Sequence, residues 1–471
     1  MTPAPRLSDA TLGQAHPDVE RPGYDRRGVK AGVVHLGLGA FHRAHQAVVY
    51  DDLIRAGDGR WGVIGVSMRS PDAARRLAAQ DGLYAVSVDD GGQVRDRIIG
   101  CLLHTLTAPE QPQAVIAALA APETHLVSLT VTENGYGAGL LSPAALIAAG
   151  LAERRKQGLG GLTALSCDNL PDNGAVLRRA VLAAAVGIDP ALPGWIETAC
   201  AFPSTMVDRI TPATTADDIE VFARRAGLHD QAVVRTEPFS QWVIEDCFVG
   251  PRPDFTAVGV TLTADVARWE AAKLRLLNSA HSLIAYVGGL ADLEFVHQVV
   301  ATPGGRALVE QLWDEAATTL PPAPDIDVTA YRTALMKRLG NPALRHRTRQ
   351  IAMDGSLKLP PRLLAPIADR LERNQSVNAL ALAVAAWIHW LGGRTDTGLA
   401  VPLEDPLAET LRQALKGAHT AAERVDAVLT IRQVFPSTLA ANALLRRTLI
   451  RQLERLDGGT AGLLRGTTSR I

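Results

Sequence analysis

The run Gly32-Val-Val-His-Leu36, leading straight into Gly37-Leu-Gly39-Ala-Phe-His42 and a helical pattern from Arg43 to Arg55, constrains the fold most. A short apolar run bounded by glycine reads as a buried strand. Gly-x-Gly between a strand and a helix permits a tight turn and lets backbone N–H groups approach a pyrophosphate. The third glycine of the usual fingerprint is missing, and His42 stands in its place. Context supplies what the motif lacks, because it opens an alternating series. Strands are predicted over Trp61–Val66, Ala85–Val88, Leu126–Val131 and Leu162–Ser166, and helices over Gln113–Ala120 and Gly174–Ala185. Such alternation predicts an α/β fold, a Rossmann-like doubly wound parallel sheet with helices on both faces. Residues 1–30 are polar and contain proline, and are expected to strap the surface.

Beyond residue 265 the period changes. Residues 265–290, 304–318, 328–339, 361–373, 376–391, 406–416, 421–433 and 437–456 all read as helices, and the tail from Gly458 reads as loose. A chain of 471 residues exceeds one ordinary core. The expectation is a dinucleotide-binding domain over 1–264 and an all-helical substrate domain over 265–471.

A formal net charge of −1 supplies no field for nucleic acid or an anionic membrane, which favours a small-molecule partner. The four cysteines are widely spaced with no CxxC pair, which speaks for a reducing compartment. The N-terminus lacks the apolar core of a signal peptide, and the longest apolar run, 377–391, is short for a membrane span. A cytoplasmic protein is expected, monomeric or a small homo-oligomer.

The segment Lys273-Leu-Arg-Leu-Leu-Asn-Ser-Ala-His281 carries the chemistry. Only six of the 48 basic residues are lysines (Lys30, Lys156, Lys273, Lys337, Lys358 and Lys416). Arginine stays charged at any working pH, whereas a buried lysine can give up its proton and act as a base. At about 100° per residue, His281 falls roughly 80°, Asn278 roughly 140° and Glu270 roughly 60° from Lys273, all on one half of a helix. The plain alternative is a surface helix with a Glu270–Lys273 pair. After the second strand, Asp72 is the candidate partner for an adenosine ribose. Arg69 nearby would suit a 2′-phosphate instead, and NAD is favoured over NADP.

Several ordered segments resemble the polyol-specific long-chain dehydrogenase/reductase family: Gly37–His45, Thr130–Tyr136, Ser166–Leu170, Met206–Pro212, Gln241–Asp246, the Lys273/Asn278/His281 set and Asp354-Gly-Ser-Leu-Lys358. The resemblance implies NAD(H) without zinc, coupling a ketose carbonyl to a secondary alcohol. It implies Lys273 as general acid/base, Asn169 and Asn278 holding the reacting oxygen, His281 positioning substrate, and Glu270 linked to proton exchange with solvent. Lys358, Asp208 and Arg349 are expected to bind substrate. Gly37, Gly39, Phe41, His42, Arg69, Asp72 and Glu133 are expected to bind the cofactor. His42 and His45 have no neighbouring cysteine or acid in sequence to complete a metal site, and no metal is expected. Across the cleft between the two domains, Asn169 is expected to meet the lysine set.

Two departures bear on substrate. The chain passes quickly from Tyr136 to Pro143, where the family often carries an insertion. Gln350 stands four residues before Asp354, where mannitol 2-dehydrogenases have an arginine, while Arg345, Arg347 and Arg349 lie just upstream. This resembles the fructuronate reductase branch. It implies reduction of a keto-sugar acid, fructuronate to mannonate, with arginine gripping the carboxylate in a bidentate fashion. The alternatives are a neutral polyol (mannitol, arabinitol or sorbitol) and an inactive NAD-sensing regulator.

Overall fold

The computed structural model describes residues 4–131, 133–137, 139–323 and 325–466, without the side chains of Glu133 and Asn134. Two compact units, Met1–Ala267 and Arg268–Ile471, divide the chain.

The first unit starts with β1 (Val33–Leu36) and β2 (Val63–Ser67), then leaves the sheet for the hairpin β3 (Tyr84–Asp89) and β4 (Val94–Ile99). It returns with β5 (Leu102–Thr107), β6 (Leu126–Leu129) and β7 (Thr163–Ser166). The five sheet strands are parallel and ordered β5-β2-β1-β6-β7. Successive residues feed opposite cores. Val33, Leu126 and Leu165 pack with Ala47, Tyr50 and Leu53 on one side. Val34, Val127 and Ala164 pack with Leu119, Leu146 and Val181 on the other. A sheet buried on both faces needs near-continuous apolar strands, which is what β1 and β6 supply. The expected doubly wound sheet is present.

Ala85–Val88 does not join that sheet as alternation predicted. It lies in β3, paired antiparallel with β4 and parallel with β9 (Val234–Thr236). The cause is the Asp89-Asp90-Gly91-Gly92 turn, where Asp90 Oδ1 accepts from the backbone N–H groups of Gly92 (3.0 Å) and Gln93 (2.8 Å). A third sheet holds β8 (Thr205–Asp208), β10 (Gln241–Glu245) and β11 (Thr261–Thr263). The helix predicted from Arg43 is two helices, Ala40–Ala44 and Gln46–Arg55, broken at His45 (φ −122°, ψ −84°). The N-terminal strap is anchored by Leu7, buried against Ala85, Ile98 and Phe222.

In the second unit, residues 265–290 form Ala267–Ala272, a π-helical segment Lys273–Asn278, and Ser279–Leu290. A second π segment, Pro360–Leu364, precedes the helix Ala365–Glu372. The helices Ser279–Leu290 and Asn378–Trp390 are buried almost throughout and form the core of this unit. The tail is less loose than expected: Ala461–Arg465 is helical, and Leu463 and Leu464 are buried. Among the described residues no helix is long and apolar enough to cross a membrane.

Candidate functional site

In the parallel sheet, connections reverse direction between β1 and β6, the crevice where such sheets place ligands. A cavity of about 560 Å³ opens there, lined by Gly37 and Gly39 after β1, Ser67 at the end of β2 and Arg69 after it, and Thr130 and Val131 after β6. The two glycines serve different ends. Gly37 has φ +107°, and a Cβ there would sit 2.1 Å from the Thr130 carbonyl oxygen, so the fold itself requires glycine. Gly39 has φ −86°, and a Cβ there would come no nearer than 3.9 Å to any atom. Nothing in the protein demands glycine at 39. The open space beside Gly39 would let a ligand lie against the backbone, which fits a dinucleotide.

His35, not singled out in the sequence, braces this turn from β1. Its Nδ1 meets Ser128 Oγ at 2.8 Å, and its Nε2 meets Thr130 Oγ1 at 3.0 Å and the Gly37 carbonyl at 3.2 Å. The Thr130 hydroxyl also donates to the Gly37 carbonyl at 2.9 Å. His42 stacks on His35 with ring centroids 3.4 Å apart. His42 is fully buried, so it packs beneath the loop instead of contacting cofactor as expected. Phe41 likewise stacks on His45, at 5.2 Å, and lies outside the cavity lining. Asp72 is also outside it, its carboxylate accepting from Ser70 Oγ at 2.7 Å. Arg69 lines the cavity, and the Glu133 side chain lies outside the described residues.

Asn169 is exposed in the loop that follows β7. Its neighbour Asp168 is buried and pins that loop, accepting from the Val131 N–H at 2.9 Å and the Tyr136 hydroxyl at 2.8 Å. Tyr136 also meets Ser166 Oγ at 2.5 Å, and burial raises its phenol well above the ordinary value. Asp208 is buried at the end of β8.

In the second unit, Lys273 and Asn278 begin and end one π segment. A π register pairs i with i+5, and the Ser279 N–H accordingly reaches the Leu274 carbonyl as well as that of Leu276. Carbonyls within and beside the segment find side-chain donors. Ser279 Oγ donates to Arg275 O at 2.6 Å, Trp313 Nε1 to Leu276 O at 2.8 Å, and Arg362 Nη1 to Asn278 O at 3.4 Å. The uniform helical angles used above therefore fail here. Residues five apart lie close to one face, so Asn278 stands nearer Lys273 than the roughly 140° of an α-helix. Glu270 and Lys273 are half-buried.

His281 is buried, with Nε2 lacking a hydrogen-bond partner among the described residues. Burial first, then His346, Arg362, Arg338 and Lys273, hold its pKa well below the usual histidine value. The His346 ring stands edge-on at 5.1 Å, and burial brings its own pKa down to about 4. Lys358 donates to Met353 O at 2.6 Å and adds positive charge beside His346. Burial brings the Arg362 guanidinium down to about 10. His346, Arg338 and Arg362 escaped the sequence reading because they lie on separate helices and loops. Arg349 is exposed on the helix Thr348–Ala352 and is not among the groups acting on His281. Among the described residues no group of three or more His, Cys, Asp or Glu is arranged to hold a metal ion.

Comparison with known proteins follows this division. Residues 31–257 match the model of the mannitol dehydrogenase Rossmann domain, and residues 265–457 that of the mannitol dehydrogenase C-terminal domain. The D-mannonate oxidoreductase of Escherichia coli (strain K12) is 39% identical, covering 92% of this chain and 94% of that protein. The mannitol 2-dehydrogenase of Cereibacter sphaeroides is 38% identical, covering 95% and 98%. A solved structure of Pseudomonas fluorescens mannitol 2-dehydrogenase, a ternary complex with NAD and D-mannitol, superposes with a TM-score of 0.84 at 34% identity, covering 98% and 99%.

Proposed function

The chain belongs to the mannitol dehydrogenase family, and on that premise we propose that it reduces a keto-sugar acid, D-fructuronate, to D-mannonate with NADH. The observation that carries this reading is the cationic surround of His281, made by Lys273, Arg338 and Arg362. A neutral polyol needs hydrogen bonds but no such charge. A carboxylate gains from a guanidinium that stays protonated at working pH. The D-mannonate oxidoreductase relative supports the same substrate class. Relatives named mannitol 2-dehydrogenase at nearly equal identity support the second reading, fructose to mannitol.

NAD(H), bound along the Gly37–Gly39 turn, supplies or accepts the hydride. Lys273 gives a proton to the carbonyl oxygen in reduction and takes it back in oxidation. The amide groups of Asn278 and Asn169 are assigned to stabilise negative charge on that oxygen without adding a titration of their own. His281, neutral at working pH, offers its unpartnered Nε2 to a substrate hydroxyl. Glu270 lies one turn before Lys273, and we assign it the exchange of that lysine's proton with solvent. Lys358, Arg362 and Asp208 are assigned to substrate binding. Product identification tests the reading. Fructuronate with one equivalent of NADH, followed by carbon NMR, is expected to give mannonate. Recovery of unchanged keto acid from a sample that converts fructose to mannitol overturns it.

A further inference from the structure

We infer that Asp405 is a positioning residue for Lys358: it fixes the short helix that carries this lysine and supplies a carboxylate that balances its charge; this rests on the assignment of Lys358 to substrate binding above. Asp405 lies in the loop after the helix Asn378–Trp390, where no sequence motif points. Its two oxygens accept from three donors, the Ser356 N–H at 2.8 Å, the Ser356 hydroxyl at 2.5 Å and the Leu407 N–H at 2.8 Å. The Ser356 N–H belongs to the first turn of the helix Gly355–Leu359, where no carbonyl of the helix itself can reach it. Beside it, the Asp354 N–H donates to the Glu404 carbonyl at 2.9 Å. Asp354 stands at φ +57°, left-handed backbone that a residue other than glycine seldom adopts. Gly355 is pressed against the core, since a Cβ there would lie 2.4 Å from Trp387 Nε1 and 2.6 Å from the Tyr286 hydroxyl. The start of this helix is therefore held between the core helices and Glu404–Asp405.

A helix of five residues has little stability of its own, so whatever anchors its first turn sets where Lys358 stands. Lys358 Nζ donates to Met353 O at 2.6 Å and to Ile351 O at 3.3 Å. The charged and titratable groups around it are Asp354 at 3.8 Å, Arg362 from the following π segment, His346 from the preceding loop, and Asp405. Burial first, and then Arg362, lower the lysine's pKa, while the Asp354 and Asp405 carboxylates raise it. Of these two carboxylates, Asp405 is the one that comes from a separate element, and it is also the one that ties down the helix start.

The test is steady-state kinetics of the whole protein with NADH, on D-fructuronate and on D-fructose, for the parent and for Asp405→Asn, which keeps the shape and removes the charge. KM for the sugar that the parent reduces should rise about tenfold or more, with kcat within about threefold of the parent. The alkaline fall of kcat/KM should begin at lower pH, because a lysine that must stay protonated has lost a carboxylate, while the pH profile of kcat keeps its place. A lower Tm with unmoved KM and an unmoved alkaline limb would make Asp405 structural and overturn the inference. Should the asparagine variant fail to fold, Ser356→Ala decides: a raised KM supports the clamp, and an unchanged KM overturns it. Lys358→Met with unchanged KM on both sugars overturns the inference together with the assignment it rests on. A parent that reduces fructose but not fructuronate overturns the keto-acid reading alone, and the same variants are then compared on fructose.

Discussion

Lys273 and Asn278 stand five residues apart at the two ends of one π-helical segment, which places both side chains near one face of the helix. In a regular α-helix they would diverge by roughly 140°. The segment is held open by Ser279, whose N–H reaches Leu274 O while its hydroxyl takes Arg275 O at 2.6 Å. The roles proposed for Lys273 and Asn278, a proton donor and an amide acting on one oxygen, need such a shared face.

Inserting one alanine after Leu274 should set Lys273 and Asn278 six residues apart and turn them about 120° away from each other at 100° per residue. The expected result is a fall in kcat of about 100-fold or more with little change in helical circular dichroism. Undiminished kcat would show that the shared face of Lys273 and Asn278 has no part in catalysis.

Lys273→Met should lower kcat by about 10²- to 10⁴-fold, the usual share of general acid/base catalysis. NADH binding, followed by fluorescence, should persist. Loss of turnover together with loss of binding would mean a structural lysine.

The two loop glycines should separate stability from affinity. Gly37→Ala forces a Cβ to 2.1 Å from Thr130 O at φ +107°, and should lower Tm as well as NADH affinity. Gly39→Ala meets nothing within the protein nearer than 3.9 Å, and should leave Tm near the parent while raising the NADH Kd. Calorimetry and titration on both variants check this.

Three buried histidines, His35, His42 and His281, and the half-buried His346 set an acid limit. Burial lowers His35 to about 3 and His346 to about 4, and holds His42 and His281 well below 6.5. In the unfolded chain each takes up a proton near 6.5, so the unfolded state binds more protons below that pH. Stability is fully present above about pH 6.5, starts to fall as the pH drops through that value, and keeps falling until the folded-state values are reached. Tm should drop steeply between about pH 6.5 and 5, and less so in His346→Gln. A flat Tm over that range would contradict neutral rings at these positions.

Arg362→Met should weaken fructuronate more than fructose. Losing a charge-assisted contact predicts a KM for the keto acid raised about 10- to 100-fold, with fructose KM changed far less. Equal effects on both would assign Arg362 to packing against the π segment, where it donates to Asn278 O at 3.4 Å.

Much of the fold was legible because the local signals agreed. β1, β2, β6 and β7 are apolar runs joined to helices of matching period, and β1 leads into a glycine turn whose φ +107° residue only glycine accepts comfortably. The β3–β4 hairpin was missed despite its Asp-Asp-Gly-Gly turn, because alternation alone suggested another crossover. The short strands β8 to β11 carry too few apolar residues to register. At the site, the Lys273 stretch stood out through its rare lysine, but its π register did not. Two of its carbonyls accept from Trp313 and Arg362, which are distant in sequence. The inward turn of His42, which stacks on His35 of β1, also needed tertiary knowledge.

The most direct test of the central claim is the ratio of kcat/KM for D-fructuronate to that for D-fructose, measured with NADH on one preparation. Arg362 and Arg338 beside His281 predict a ratio well above one, about 100 or more if a charged contact is made only with the acid. A ratio below one would contradict the keto-acid reading and assign the site to a neutral ketose.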